Sequence, residues 1–270
     1  FLEDFIKNFN DKNFNSFAYY NHGKEDQVTE RLKKYFSEFK NINNLNEIDK
    51  INLIRKDQID ILIDLSGHTA KNCLSIMKTK PAPIQMTWLG FSETTGIYEI
   101  DYIICDHISI PKGEEKFFVE KPLRLNDSYY CFSNPGERNF KIINRNLDSI
   151  IFGNFGNIRK INSEVLNIWE KILNEIPSSK LLLKSDFYRD QKIKGEIINF
   201  FTMSGIKEKR LIFEYGASRN DYLASYNNID VILDTFPYPG GTTTCESLFM
   251  GTPVITMEGR SFFQRNSANI

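Results

Sequence analysis

From Ile229 to Met257 the chain reads IDVILDTFPYPGGTTTCESLFMGTPVITM. The short apolar run Val231–Leu233 is typical of a buried strand, and Asp234 follows it directly. Prolines and glycines then indicate a turn, three threonines follow, and the pattern fits a short helix at Cys245–Met250 before a second apolar run at Pro253–Met257. Strand, glycine turn, helix and strand in this order predict one repeat of a parallel α/β sheet.

The glycine turn and its threonines are typical of an anion-binding site. Backbone N–H groups at a helix start point outward, and the helix dipole favours negative charge there. Gly240 and Gly241 would let the backbone approach a ligand closely. Thr242, Thr243 and Thr244 would add hydroxyl donors. The segment therefore predicts a phosphate site.

Glu246 lies about one turn inside the predicted helix, where an acidic residue is unexpected beside a phosphate. A carboxylate suits a ribose diol better, since it accepts hydrogen bonds from two hydroxyl groups. The alternative is an ordinary capped turn with Glu246 on a solvent-exposed helix face. The residues alone leave both interpretations open.

A second glycine-containing loop follows the strand-like start of Ile151–Lys160, IFGNFGNIRK. In a Rossmann-like lobe such a loop opens toward the ligand. It carries Asn157, Arg159 and Lys160, and one ammonium there could neutralise the charge of a leaving diphosphate. An exposed lysine at the start of a helix is the alternative, and position alone favours it.

The first half of the chain offers two further loops at predicted strand ends. They are Asp64–Thr69, DLSGHT, and Leu89–Gly96, LGFSETTG. Contacts to an acceptor or a sugar belong at such ends. His68 is the only histidine in these loops and could act as a base or bind a sugar hydroxyl near physiological pH. A structural role for His68 is equally compatible with the sequence.

Short apolar runs alternate with amphipathic stretches along the chain, which predicts parallel sheets covered on both faces. The predicted strands are Phe14–Tyr20, Ile59–Leu65, Ile84–Leu89, Tyr102–Cys105, Ile150–Phe155, Lys180–Lys184, Leu211–Tyr215, Val231–Leu233 and Pro253–Met257. The predicted helices are Glu25–Phe39, Ser163–Glu175, Phe187–Met203 and Cys245–Met250. A cluster of Asn, Ser, Pro and Gly at Asn126–Asn139 divides the chain into two Rossmann-like lobes, residues 1–135 and 136–270, which we expect to face a cleft.

Composition gives no sign of a nucleic-acid or membrane partner. The net charge is −1, from 34 basic and 35 acidic residues, and no apolar run approaches the length of a membrane span. The four cysteines include no CxxC pair and no histidine at metal-ligand spacing. We therefore expect a reduced, cytoplasmic protein without a metal site.

Four blocks together resemble the catalytic region of the O-linked N-acetylglucosaminyltransferase/SPINDLY family, glycosyltransferase family 41. They are KPAPIQMTWLGFSETTG (Lys80–Gly96), IDYIICD (Ile100–Asp106), FGNFGNIRKI (Phe152–Ile161) and LDTFPYPGGTTTCESLFMGTPVITM (Leu233–Met257). DLSGHTAKN and TFPYPGGTTTCES look most like SPINDLY and its bacterial relatives. The resemblance implies a GT-B fold, two Rossmann-like doubly wound lobes, and an inverting, metal-independent transferase that needs no cofactor beyond its donor.

The resemblance also implies roles for residues of the second lobe. Asn157 and Lys160 match the nucleotide-sugar loop, in which the lysine contacts the diphosphate and is catalytic. Ala217 and Arg219 match the base-recognition loop, and Glu246 matches the ribose-binding carboxylate. Thr242 and Thr243 match the phosphate contacts, with Thr244 beside them. In the first lobe, Leu89 and Gly90 match the region that holds the donor sugar.

The chain departs from the family pattern in several places. Tyr222 stands where a histidine usually lies near the base, and Gly241 replaces another histidine. The family has a further histidine upstream of Phe1, tetratricopeptide repeats before the catalytic region and more chain after Ile270. The resemblance therefore implies a fragment that lacks the first strand of the acceptor-side lobe and is a poor catalyst by itself.

The function implied is transfer of a sugar from a nucleoside diphosphate to Ser or Thr hydroxyls of proteins. UDP-GlcNAc is the leading donor, and O-fucosylation from GDP-fucose is the alternative that the SPINDLY-like blocks favour. Another two-lobe activity, such as a nucleotide-sugar epimerase or a glycan-directed transferase, is a further alternative. A non-catalytic nucleotide-sugar-binding module is the alternative from outside the enzymes.

Overall fold

The computed structural model describes residues 1–9, 13–133 and 149–270. The chain forms two compact units, Phe1–Gly136 and Glu137–Ile270. Part of the break expected at Asn126–Asn139 lies outside the described residues. Among the described residues, no helix combines the length and the apolar character that crossing a membrane requires.

The first unit contains two parallel sheets. Its strands are β1 Phe17–Tyr20, β2 Glu38–Asn41, β3 Ile61–Asp64, β4 Ile84–Thr87, β5 Tyr102–Asp106 and β6 Lys121–Leu125. Its helices are α1 Leu2–Asn8, α2 Gln27–Lys33, α3 Glu47–Lys56 and α4 Leu74–Met77. Strands β1 and β2 form one sheet, and the other has the order β3-β4-β5-β6. Trp88, Ile103 and Cys105 are buried in this unit.

The second unit contains one five-stranded sheet in which every pairing is parallel. Its strands are β7 Ile151–Asn154, β8 Lys180–Lys184, β9 Leu211–Glu214, β10 Val231–Leu233 and β11 Val254–Ile255. Its helices are α5 Ser163–Glu175, α6 Gln191–Met203, α7 Arg219–Ala224, α8 Thr242–Phe249 and α9 Asn266–Asn269.

The strand order of the second unit is β11-β10-β7-β8-β9. The chain runs from β7 through β8 to β9 on one side, then returns to place β10 and β11 on the other side of β7. The order reverses between β7 and β10, and in open α/β sheets ligands bind at the carboxyl ends of the strands beside such a switch point.

Local sequence explains α5, which is one of the two longest helices described in this unit. Helix α5 begins after Asn162, whose side chain accepts a hydrogen bond from the Val165 N–H at 2.9 Å. Val165, Trp169 and Leu173 recur at a spacing of four and are buried against the sheet. Burying such apolar side chains contributes about 1.5–3 kcal/mol each to folding.

Three predicted bounds, Ser163–Glu175, Lys180–Lys184 and Val231–Leu233, are confirmed. The predicted helix Glu25–Phe39 is wrong beyond Lys33, because its last residues enter β2. The sequence did not lead us to predict α3, α4, α7, α9, β2 or β6. Strand β6 contains Pro122 and lies at a sheet edge, where a missing N–H is tolerated.

Helix α8 begins three residues earlier than the predicted Cys245. Threonine is a poor helix former, which explains the error. The three threonines therefore form the first turn of the helix rather than the loop before it.

Candidate functional site

Two loops meet at the switch point of the second unit, one after β7 and one after β10. Phe152 and Gly153 pair with Val231 and Ile232. Just beyond this pairing, the buried Asn154 amide donates a hydrogen bond to the Leu233 carbonyl at 2.8 Å. The two strand ends are thus fixed side by side.

Lys160 lies on the first of these loops and reaches the second. It ends a short 3-10 helix, Ile158–Lys160, whose start is capped by the Asn157 side chain accepting from the Arg159 N–H at 3.0 Å. The Lys160 ammonium donates to the Pro239 carbonyl at 2.7 Å and lies 4.4 Å from the centre of the Tyr238 ring.

Burial lowers the pKa of Lys160 from its ordinary value, and the negative charge of Asp234 opposes this effect. The ammonium is therefore partly desolvated, and its contacts with the Pro239 carbonyl and the Tyr238 ring do not fully compensate for the lost hydration. An anion that joined it would gain a strong charge-assisted hydrogen bond.

The glycine turn is held by Asp234, at the end of β10. Its carboxylate accepts hydrogen bonds from the N–H groups of Thr235 and Gly240, both at 2.8 Å, and from the Thr256 hydroxyl at 2.9 Å. A Cβ on Gly240 would lie 2.9 Å from the Thr243 hydroxyl oxygen and closer still to that of Thr244. A larger residue at this position would force the side chains of Thr243 and Thr244 to move.

Helix α8 starts at this turn, with Gly241 as its N-cap, and no side chain of the described residues caps it. The first-turn N–H groups and their positive dipole end are thus presented beside the glycine turn. Thr242 is exposed and Thr243 half-buried, whereas Thr244 is buried and its hydroxyl shares a hydrogen bond with Ser267 at 2.6 Å. Thr242 and Thr243 are the more accessible of the predicted hydroxyl donors.

Glu246 is buried, so the solvent-exposed interpretation is wrong. Its carboxylate forms an ion pair with the Arg219 guanidinium at 2.7 Å, and Arg219 is itself half-exposed. Tyr222 lies next to the pair. Burial, followed by the charge of Glu246, raises the pKa of Tyr222 to about 12. The phenol therefore stays protonated at neutral pH.

A cavity of about 210 Å³ adjoins Arg219 and Tyr222. Gly216 and Ala217 line it from the loop after β9, and Lys184–Asp186 line it from the end of β8. The structure therefore brings together the predicted base-recognition residues Ala217, Arg219 and Tyr222 at one opening. It also ties Arg219 to Glu246, a link that the sequence did not indicate.

Several residues of this site were missed from the sequence. Tyr238 lies under the Lys160 ammonium, and Lys184 lines the cavity. Lys184 had one usable signal, because a lysine that directly ends the apolar run of a buried strand must find a partner. That partner is Glu214, at 2.8 Å.

The remaining predicted residues lie in the first unit, on the loops after β3 and β4. His68 is exposed and packs against Phe91, with ring centres 5.3 Å apart. Leu89 has a φ of +64°, a conformation that non-glycine residues rarely adopt. A Cβ on Gly90 would overlap the backbone of Leu65 and Ser66. His68, Leu89 and Gly90 thus share one pair of interlocked loops, while Lys160, Glu246 and the threonines belong to the second unit.

Two units of parallel α/β structure define a protein of the doubly wound class, and one unit places a helix start, a desolvated ammonium and a buried carboxylate at its switch point. The model of Glycosyl transferase family 41 matches residues 2–135 and 138–269. The chain belongs to this family.

Individual relatives agree with the family match. The chain is 36% identical over 269 residues to a protein from Oryza sativa subsp. japonica named as a probable UDP-N-acetylglucosamine–peptide N-acetylglucosaminyltransferase SPINDLY, covering 96% of this chain and 29% of the relative. It is 37% identical over 224 residues to the SPINDLY protein of Arabidopsis thaliana, covering 82% of this chain and 24% of that protein. The chain thus spans about a quarter of the length of these relatives.

A solved structure of a mutant Thermobaculum terrenum O-GlcNAc transferase superposes with a TM-score of 0.90 at 33% identity, covering 100% of this chain and 51% of that one. This match, with the parallel sheets of both units, confirms the predicted GT-B fold.

Proposed function

We propose that this chain carries the donor-binding region of a protein glycosyltransferase, which moves GlcNAc from UDP-GlcNAc to Ser or Thr hydroxyls with inversion. The relatives named above are described as UDP-GlcNAc-dependent peptide transferases or as an O-GlcNAc transferase, which supports both the donor and the acceptor class.

One observation carries the proposal. The Lys160 ammonium, with its lowered pKa, contacts the glycine turn that leads into the uncapped start of α8. Two sources of positive potential thus converge on one side of a switch point. A diphosphate leaving group, which gains negative charge as the glycosidic bond breaks, is the substrate feature that this arrangement fits best.

In the proposed reaction the acceptor oxygen attacks the anomeric carbon, and the bond to the β-phosphate oxygen breaks on the opposite face. Lys160 and the N–H groups at the start of α8 stabilise the departing diphosphate. Thr242 and Thr243 donate hydroxyl hydrogen bonds to its phosphates, and Glu246 accepts from the ribose hydroxyls. The nucleobase enters the cavity beside Ala217 and Tyr222.

His68 is the proposed candidate to take the proton of the acceptor hydroxyl. Its imidazole is exposed, and a neutral imidazole has a ring nitrogen that can accept a proton, as a general base requires. His107, also exposed and in the same unit, offers a matched control. His68→Ala should lower transfer to a Ser/Thr peptide while His107→Ala leaves it unchanged. Equal rates for the two variants would remove His68 from the mechanism.

Two measurements test the proposal. The first is calorimetric titration of the chain with UDP-GlcNAc and with GDP-fucose. The second is mass spectrometry of a Ser/Thr peptide after incubation with the chain and each donor. We expect UDP-GlcNAc binding and a HexNAc mass increment on the peptide. Preferred binding of GDP-fucose with a deoxyhexose increment would instead assign O-fucosylation. Binding of neither donor would overturn the proposed function.

A further inference from the structure

One peptide unit of the glycine turn lies between the Lys160 ammonium and the Asp234 carboxylate. The Pro239 carbonyl accepts a hydrogen bond from Lys160 at 2.7 Å. The N–H of the same peptide unit, which belongs to Gly240, donates to the two carboxylate oxygens of Asp234 at 2.8 and 3.1 Å. A donor at the carbonyl and an acceptor at the N–H polarise a peptide unit in the same direction, so each hydrogen bond strengthens the other. The turn therefore links a cation on the loop after β7 to an anion at the end of β10.

Asp234 is itself held in place from several sides. Its N–H donates to the Ile255 carbonyl of β11 at 2.9 Å, and its carboxylate also accepts from the Thr235 N–H and the Thr256 hydroxyl. Each carboxylate oxygen thus accepts two hydrogen bonds, which is its full capacity. The peptide unit that Lys160 contacts is therefore anchored to an acceptor that cannot move without breaking other bonds.

The charges around Lys160 give Asp234 a second effect. Burial lowers the pKa of Lys160, and the nearby Asp234 charge acts in the opposite direction. The Tyr238 phenol lies on the turn, with its ring centre 4.4 Å from the ammonium. Arg159, the preceding residue, is exposed, and its guanidinium lies 5.9 Å from the centre of the Phe187 ring. A carboxylate favours the charged form of a lysine, so Asp234 offsets part of the desolvation.

We infer that Asp234 is a positioning residue for the lysine assigned to the leaving group. It fixes the Lys160 ammonium through the shared peptide unit, and its negative charge keeps that ammonium protonated. Asp234 acts through Lys160, because the turn and its neighbours take up the hydrogen bonds of both carboxylate oxygens. The inference rests on the proposed function, in which Lys160 stabilises the departing diphosphate.

Asp234→Asn removes the charge and can keep the turn. The asparagine oxygen can accept from the two N–H groups, while its amide can donate to the Thr256 hydroxyl, which is able to accept as well as donate. In the ligand-free chain with 13C-labelled lysine, NMR follows the titration of the Lys160 side chain, whose signal is assigned by its loss in Lys160→Met. The pKa of Lys160 should be lower in Asp234→Asn than in the wild type. Glu258→Gln, which removes an exposed carboxylate beyond β11, should leave that pKa unchanged.

An unchanged Lys160 pKa in a folded Asp234→Asn protein would overturn the inference, and thermal unfolding shows whether the variant folds. A second measurement needs no change at Asp234. In the wild type, the Gly240 amide resonance should shift over the same pH range as the Lys160 side chain, because both belong to one hydrogen-bonded peptide unit. That shift should be absent in Lys160→Met. A Gly240 resonance that does not follow the Lys160 titration would contradict the link between the two charges.

The pH dependence of peptide glycosylation separates positioning from a purely structural role. The kcat of the wild type should fall as pH rises through the Lys160 pKa, and in Asp234→Asn the fall should occur at lower pH. Asp234→Ala also removes the acceptor of the Gly240 N–H and should lower kcat by about 10- to 100-fold at every pH. A purely structural role would lower the stability of both variants and leave the pH of the fall unchanged, which would count against the inference. Because the lysine titration uses no nucleotide, failure of UDP to bind would count against the proposed function alone.

Discussion

The loops after β3 and β4 in the first unit differ from the loops after β7 and β10 in the second unit in the groups that they hold in place. In the first unit, the loops at His68 and Leu89 are held by backbone packing and by the buried Asp64 carboxylate, which accepts from the Gly67 N–H at 2.8 Å and from the Thr87 hydroxyl at 3.0 Å. They present an exposed imidazole. In the second unit, the loops hold a desolvated ammonium and a buried, ion-paired carboxylate.

The first-unit loops are thus preorganised by backbone packing, and the second-unit loops by buried charged groups. Preorganised charge costs stability in the free protein and stabilises a bound anion when it arrives. In the first unit the cost is conformational instead, because Leu89 is held at a positive φ. Substitutions in the second unit should therefore change nucleotide binding and turnover, and backbone substitutions in the first unit should change stability first.

The largest effect is expected for Lys160→Met. Removing a charge that stabilises the leaving group should lower kcat by about 100- to 1000-fold, with a smaller change in donor affinity. Steady-state kinetics of peptide glycosylation measure both. Lys171→Met, at an exposed lysine of α5, is the control and should be neutral. An unchanged kcat in Lys160→Met would show that the ammonium has no role at the leaving group.

Glu246→Ala should weaken binding of UDP and GDP alike, because the ribose is common to both nucleotides. A loss of about 1–3 kcal/mol is expected for hydrogen bonds to a charged group. Removing the carboxylate also frees Arg219. The 2′-deoxy form of UDP isolates the ribose contribution, because it should lose affinity for the wild type and little for the variant. Normal binding of both nucleotides by Glu246→Ala would remove Glu246 from the site.

Gly90→Ala tests the packing of the two loops in the first unit. The added Cβ meets the backbone of Leu65 and Ser66, which cannot rotate away as a side chain can. Overpacking of this kind costs about 1–3 kcal/mol of unfolding free energy. Gly195→Ala, in α6, meets nothing within 4 Å and should be neutral or stabilising. Chemical denaturation measures both, and a Gly90→Ala protein as stable as Gly195→Ala would contradict the close packing of the two loops.

The smallest effect concerns pH. Only the protonated form of Lys160 attracts a diphosphate, so binding is favoured below its pKa and weakens as pH rises through that value. Since burial lowers the pKa of Lys160 in the free protein, this loss should begin at lower pH than for an exposed lysine. Calorimetry of UDP from neutral to alkaline pH measures it. The same pH dependence in Lys160→Met would assign the titration to another group.

Much of the second unit could be predicted from sequence, because its strands are continuous apolar runs and its turns carry glycine and proline. The apolar run at β10, the glycine turn and Glu246 are adjacent in the chain, so the candidate phosphate site could be predicted from one segment. Lys184 and Asp186 lie at the end of β8, whereas Tyr222 lies on α7. Only the fold brings them to one cavity, and no local pattern indicates that.

The first unit was harder to predict for a different physical reason. Strand β2 follows α2 after only four residues, so the helical pattern before it extends without a break signal into the strand. The arrangement of His68, Leu89 and Gly90 depends on loop packing and on a positive φ at Leu89, which side-chain periodicity does not encode.

The central claim is that the second unit binds the diphosphate. The most direct test is to titrate the isotope-labelled chain with UDP and to measure the changes in amide chemical shifts by NMR. We predict that the largest shifts fall on the loop at 156–160 and on the turn and helix start at 240–246. The loops at 66–69 and 89–91 should change little with the nucleotide alone. Large shifts confined to the first-unit loops, with none at Lys160 or Gly240, would contradict this account.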